Sequence, residues 1–338
     1  MEYRRWVCNK PSDITLERSE IYEIDDNEVL IKVDYCGICH SDIHIIDGDW
    51  NSRGFVNYPL TPGHEVIGKV VKKGKNVDKV DINDIVGLPW VHSSCLDCEY
   101  CLSSNEQFCE NRKITGINTI GGYSEYCVLR REFAIPVNKL VNIDNWKLEE
   151  IAPLYCAGLT TYTALKKLNI KPMMRVAILG LGGLGHMAVQ YSRTFGAYTI
   201  VFSSDISKKK LAEKLGADQF LTYDEIEKVG KLDIVLSTLP NSEIAMKFIP
   251  YLKAYGKISF VGAHINEISF QPISLISKNL VLTGNAVGSR IDLIETIKLS
   301  ISNNLKPMVE TFEFHELPRA LEIVRKGKAK LRAVLKVS

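Results

Sequence analysis

The chain has 338 residues, 46% hydrophobic and 24% charged, and 42 Lys+Arg against 40 Asp+Glu leave a formal net charge of +2. That length accommodates two domains, and the composition is that of an ordinary globular protein. The balanced charge gives no footprint for nucleic acid, no stretch reaches the roughly 18 apolar residues of a membrane span, and the opening MEYRRWVCNKPSD has no apolar signal-peptide core, so a cytoplasmic protein is expected.

Up to about residue 150, short apolar runs at 29–33, 66–71, 85–88 and 126–129 are broken by Gly, Pro, Asp and Asn, which predicts a β-rich, turn-rich domain. From about residue 175 apolar strands alternate with helical segments: 176–179 then 187–195, 199–202 then 208–215, followed by 234–236, 258–261 and 280–282. Such alternation predicts a doubly wound parallel sheet, and the fold class is α/β. Helix and strand mix from residue 298 to the end, a tail assigned back to the first domain. The expected boundaries are 1–152, 153–288 and 289–338.

Nine cysteines, an odd number, favour reduced thiols or metal thiolates over disulfides. The stretch YCGICHSDIH is ambiguous by itself. Cys36-Gly37-Ile38-Cys39-His40 fits covalent haem attachment, a thioredoxin-like pair, or a site where one cysteine alone acts. Haem attachment normally follows export, which weakens the first of these. A clearer signal is Cys95, Cys98 and Cys101, followed after seven residues by Cys109. Four thiolates so close can close a tetrahedron around one zinc and leave no position for substrate, which makes a structural site, with a lobe at about 93–112. A ferredoxin-type run usually has a cysteine followed by proline, and Cys109-Glu110 lacks it.

The segment VAILGLGGLGH places Gly180, Gly182 and Gly185 as GxGxxG, with Gly183 and Leu184 between, after an apolar strand and at a helix start. In that context the glycines allow a tight turn, close approach of backbone to a pyrophosphate and helix–strand packing. Asp205 lies at the distance of an acid that binds the 2′-hydroxyl of NAD. The strand is expected to end at Phe202, however, with Ser203 and Ser204 at its tip and Asp205 opening a helix before Lys208-Lys209-Lys210. Two hydroxyls and Lys208 suit a 2′-phosphate, so NADP(H) is preferred over NAD(H); the lysines equally fit an exposed helix face.

The set GICHSDIH, PGHEVIG, CxxCxxCx₇C, CAGLTTY and GLGGLGH, in this order over nearly the whole chain, resembles the zinc-dependent medium-chain alcohol dehydrogenases and is most similar to their cinnamyl-alcohol-dehydrogenase-like branch. The resemblance implies a GroES-like catalytic domain, a Rossmann cofactor domain and two Zn²⁺ per chain. Cys39, His64 and Cys156 match the catalytic zinc ligands, and Cys36 becomes a buried bystander, as do Cys8 and Cys127. Asp42 matches a carboxylate that orients the ligand histidine, and Glu65 an acid beside the metal. Ser41 and His44 match a proton relay. His40 matches a residue near the pyrophosphate and reads equally as an exposed loop histidine. Arg332 matches an arginine near the cofactor phosphates, while Val261, Asn285 and Val287 match loops that hold the nicotinamide amide. Trp50 and Trp90 fall near pocket-lining positions, which favours a slim or flat apolar alcohol or aldehyde. The segment between Cys109 and Gly121 is shorter than in plant relatives, so one pocket wall does not transfer.

The implied activity is interconversion of a primary alcohol and its aldehyde with NADP(H) by a homodimer or homotetramer. An NAD-dependent polyol dehydrogenase of the same fold and a non-catalytic zinc- and nucleotide-binding protein are the rivals. The partners expected are a small-molecule alcohol or aldehyde, with no nucleic acid and no membrane.

Overall fold

A computed structural model describes residues 2–21, 23–241, 243–263 and 267–338. The chain divides into two compact units, Met1–Cys156 with Gly288–Ser338, and Ala157–Val287.

In the first unit the strand Glu28–Ile38 is the hub. One flank pairs antiparallel with Glu65–Lys73, which in turn pairs with Ile85–Leu88. The other flank is shared end to end. Tyr126–Arg130 lies opposite residues 28–32, and Arg332–Lys336 lies opposite residues 35–38. Val309–Glu313 adds in parallel at the edge beyond Arg332–Lys336. The C-terminal tail therefore fills backbone hydrogen-bonding positions that the first domain alone leaves open, a long-range pairing that no local periodicity announces. Val29, Ile31 and Val33 point into the core and are fully buried, each such side chain stabilising the fold by about 1.5–3 kcal/mol.

The hairpin Glu2–Lys10 with Asp13–Glu20 was not expected from the sequence. Its alternation is masked by charges such as Arg4, Arg5, Glu17 and Arg18, yet Trp6 anchors it. The Trp6 indole is buried and donates to the Phe314 carbonyl at 3.0 Å.

The second unit is a six-stranded sheet in the spatial order Gln219–Leu221, Tyr198–Phe202, Arg175–Leu179, Leu232–Ser237, Leu252–Phe260, Val281–Gly284, with every pair parallel. Numbered within the unit this is 3-2-1-4-5-6, the Rossmann order. Its central strands read as unbroken apolar runs because both faces are covered. Ala177, Ile178, Ile200, Val201, Val235 and Ile258 are inaccessible to solvent. Gln219–Leu221 went unforeseen because three residues at a sheet edge carry too little pattern. No helix among the described residues is long and apolar enough to cross a membrane.

Candidate metal centres and cofactor loop

The hub strand ends at Ile38, and Cys39 caps the helix His40–Asp47 that follows. Asp42, in the first turn, reaches back so that its Oδ2 accepts the Cys39 backbone N–H at 2.9 Å. Such an acid offsets the unsatisfied amides of a helix start. Here the same carboxylate also accepts the Tyr123 hydroxyl at 3.0 Å and the Gly63 N–H at 3.2 Å, and its Oδ1 lies 2.9 Å from His64 Nδ1. A carboxylate on Nδ1 fixes the imidazole tautomer with the proton there and aims Nε2 at a metal.

Nε2 of His64 lies 3.3 Å from Cys156 Sγ, and Cys156 Sγ lies 4.0 Å from Cys39 Sγ. Cys39, His64, Glu65 and Cys156 are all buried, and their donor atoms lie within 4.8 Å of one another. Cys156 falls in the first unit together with Cys39 and His64. The Cys39 thiol is held well below its ordinary range, first by the neighbouring Cys156 thiol and then, against burial, by the Arg332 and His64 charges. Two thiols and one correctly oriented imidazole converging in a buried pocket fit a zinc ion.

Glu65 faces Gly37 across the two central strands, and a Cβ on Gly37 would collide with its carboxylate. Arg332 opens the strand that pairs with the end of the hub, and its guanidinium is spent on Glu65, with Nε 3.1 Å from Oε2 and Nη2 paired to Oε1. Arg332 is buried, and its charge takes the carboxylate partner that such a position needs.

Ser41 and His44 stand three residues apart on one helix, hence on one face, and both are half-buried. His44 Nδ1 lies 2.7 Å from Asp49 Oδ2, and its ring stacks on Trp50 at 5.3 Å. Trp50 meets Trp90 edge-to-face at 6.3 Å and Phe55 at 6.0 Å, while Trp90 meets His64 edge-on at 4.9 Å. Sequence reasoning missed Asp49, Tyr123 and Phe55. Asp49 had a signal in the turn GDW just past the relay helix; Tyr123 reaches Asp42 from 81 residues away and had none. His40 is exposed.

The four-cysteine lobe also lies in the first unit. Cys95, Cys98, Cys101 and Cys109 offer sulfurs within 4.8 Å of one another, with Cys95 Sγ 3.5 Å from Cys109 Sγ and 3.9 Å from Cys101 Sγ. None of the nine cysteines is in a disulfide. Four convergent free thiols fit a second zinc with every position filled by protein. Cys8, Cys36 and Cys127 are fully buried and belong to neither cluster.

In the second unit Gly180 ends the first strand at φ +91°, and a Cβ on Gly185 would collide with the Gly180 carbonyl. A Cβ on Gly182 would meet nothing within 4 Å, so that position is open to a ligand. Gly182, Gly183 and Leu184 are half-buried just before the helix Gly185–Thr194. At the tip of the second strand Ser203 is buried and Ser204 exposed. Asp205 caps a short turn, accepting the Ser207 hydroxyl at 2.6 Å and the Ser207 N–H at 2.9 Å. Lys208 Nζ donates to the Leu181 carbonyl of the glycine loop at 3.1 Å. Val261 N–H donates to Ser237 O at 3.0 Å, and the Asn285 amide donates to Val287 O at 3.1 Å.

Residues 25–139 match the family described as alcohol dehydrogenase GroES-like domain, and residues 183–302 match zinc-binding dehydrogenase. Cinnamyl alcohol dehydrogenase 2 of Rauvolfia serpentina is 36% identical over 327 residues, covering 92% of this chain and 88% of the relative. The solved structure of CAD from Helicobacter pylori complexed with NADP(H) is similar at TM-score 0.88 and 29% identity, over 99% of this chain and 98% of that one. Acetophenone reductase from Geotrichum candidum in complex with NAD is similar at TM-score 0.87 and 28% identity, over 99% and 97%. With relatives this similar spanning nearly its full length, the chain belongs to the medium-chain, zinc-type alcohol dehydrogenases and is an enzyme of that family.

Proposed function

We propose that the enzyme interconverts a primary aliphatic or aromatic alcohol and its aldehyde, exchanging hydride with NADP(H), and holds two zinc ions per chain. The observation that carries this is the convergence of Cys39, His64 and Cys156 in one buried cluster, with Ser41 and His44 on the helix that Cys39 caps. Zinc held by those three residues would supply Lewis acidity, lowering the pKa of an alcohol hydroxyl or polarising an aldehyde carbonyl. Oxidation then releases one proton, and Ser41 and His44 carry it. The Asp49 carboxylate keeps a proton on His44 Nδ1, leaving Nε2 as the accepting atom. Trp50, Trp90 and Phe55 build an aromatic wall next to His64 and favour a slim or flat apolar substrate over a polyol. The four-cysteine lobe would hold the second zinc for stability.

NADP(H) is favoured over NAD(H) because Asp205 Oδ1 caps the following turn through Ser207, while Ser203 and the exposed Ser204 stand at the strand tip and Lys208 reaches the glycine loop at Leu181, which brings hydroxyls and a cation together for a 2′-phosphate. Free thiols throughout suit a reducing cytoplasm. A dimer or tetramer is supported by the outer edge of the parallel sheet, where Val281 on the last strand, with Ile273, Ile276 and Tyr255, is an exposed hydrophobic. Steady-state turnover of benzaldehyde and short aldehydes with NADPH and NADH, together with metal analysis, tests the reading. Turnover lost on strong chelation, faster with NADPH and accompanied by two zinc per chain is expected. Faster turnover with NADH sinks the ribose assignment, and no turnover with either sinks the reaction.

A further inference from the structure

Behind the glycine loop lies a histidine that the reaction described above does not use. His186 is the second residue of the helix Gly185–Thr194 and is fully buried. Its Nδ1 lies 3.0 Å from the Gly182 carbonyl oxygen, which also accepts the His186 backbone N–H at 3.1 Å. A carbonyl can only accept, so Nδ1 carries the proton and donates. Burial pushes the ring down to about 4, which keeps it neutral at physiological pH.

Gly182 is the open position of the loop, and with no side chain it restrains its own backbone least. The peptide that joins it to Gly183 is planar and trans, so the Gly182 carbonyl and the Gly183 N–H point in opposite directions. Holding the carbonyl toward the buried ring turns the Gly183 N–H outward at the helix N-terminus. Free amides and the helix dipole favour an anion there.

We propose that His186 is a positioning residue for dinucleotide binding: its Nδ1–H holds the Gly182 carbonyl inward, so that the Gly183 amide is presented to the cofactor pyrophosphate before the cofactor arrives. The inference rests on the loop being the pyrophosphate cradle. Ordering the loop in advance removes part of the entropic cost of binding.

Fluorescence titration of the full chain with NADPH, or with NADH if that cofactor turns over faster, tests it. The control ligand lacks the pyrophosphate: 2′-AMP for NADPH, adenosine for NADH. His186→Ala should weaken dinucleotide binding by about three- to tenfold, the effect of one net hydrogen bond, with control binding unchanged. His186→Asn, whose amide nitrogen can occupy the Nδ1 position, should bind nearly as wild type, and His186→Gln, whose donor sits further out, should bind as weakly as alanine. Equal affinity of the Asn and Gln variants, or parallel loss of dinucleotide and control binding, overturns the proposal; the Asn–Gln comparison decides it even if the alanine variant does not fold. Wild-type protein that binds neither dinucleotide overturns the cradle assignment itself, and the proposal with it.

Discussion

The two cysteine clusters of the first unit offer similar sulfur chemistry in opposite surroundings. Cys95, Cys98, Cys101 and Cys109 come from one short loop, two of them half-exposed, and close around one another with little help from the rest of the chain. Cys39 comes from just past the end of one strand, His64 from just before the start of another, and Cys156 from 92 residues beyond His64. They are buried, and their orientation depends on Asp42, Tyr123 and Gly63. A local cluster can serve as a self-contained staple, whereas a site that must keep a position open for substrate needs the whole domain to hold three ligands in place.

Removing a ligand from the dispersed cluster should hurt chemistry most. Cys156→Ala is expected to lower aldehyde reduction by ~10³-fold or more, the scale of losing a principal stabiliser of transition-state charge. The lobe should keep its own zinc, so metal analysis should read one ion per chain; wild-type kcat in this variant would dissolve the distinction between the clusters. Asp42→Asn acts one shell further out. It should weaken zinc binding at the dispersed site by ~10–100-fold, read by chelator competition, without altering retention by the lobe.

The converse variant is Cys98→Ser. Zinc should again fall from two ions to one, but the main damage should be to folding: Tm is expected to drop by roughly 5 °C or more, the equivalent of about 2 kcal/mol in a unit of this size, while activity per folded molecule largely survives. If Cys98→Ser abolishes activity at unchanged Tm, the lobe is not a staple. A smaller effect is expected at Asp49. Asp49→Asn should slow alcohol oxidation by ~10-fold, a fraction of a full acid–base contribution, with zinc content unchanged and partial rescue by imidazole buffer.

The least effect concerns acid stability. His92 is buried between the lobe and Tyr126–Arg130, with Nε2 2.9 Å from the Val128 carbonyl, and burial pushes it down to about 4. An unfolded histidine titrates near ~6.5, so between those values the unfolded chain binds the extra proton. The stability is present above pH 6.5 and is lost as pH falls toward 4. Tm should decline across that window, and His92→Gln should flatten the decline. His186 contributes with the same sign from the second unit.

Much of this was legible without coordinates because the signals are local. The lobe is one CxxCxxCx₇C run, the cofactor loop is one strand–GxGxxG–helix segment, and the strands of the parallel sheet are apolar runs because they are covered on both sides. The stretch around Cys39 was less legible: by itself it left three chemistries open. What stayed hidden depends on pairing between distant segments. The N-terminal hairpin hides its pattern under exposed charges, and Gln219–Leu221 is too short to show one. Tyr123 meets Asp42 across 81 residues, and Arg332 meets Glu65 across 267.

By itself the sequence determined which residue types could hold metal and nucleotide, since ligand spacing, glycine placement and hydrophobic period act within a few residues of one another. Only the tertiary structure decided which of the cysteines outside that run converge with His64, that the Arg332 charge goes to Glu65, and that Asp205 is engaged by Ser207. Those outcomes follow from strand register and burial: register selects which side chains face each other, and a buried charge or polar group must take the partner that register provides.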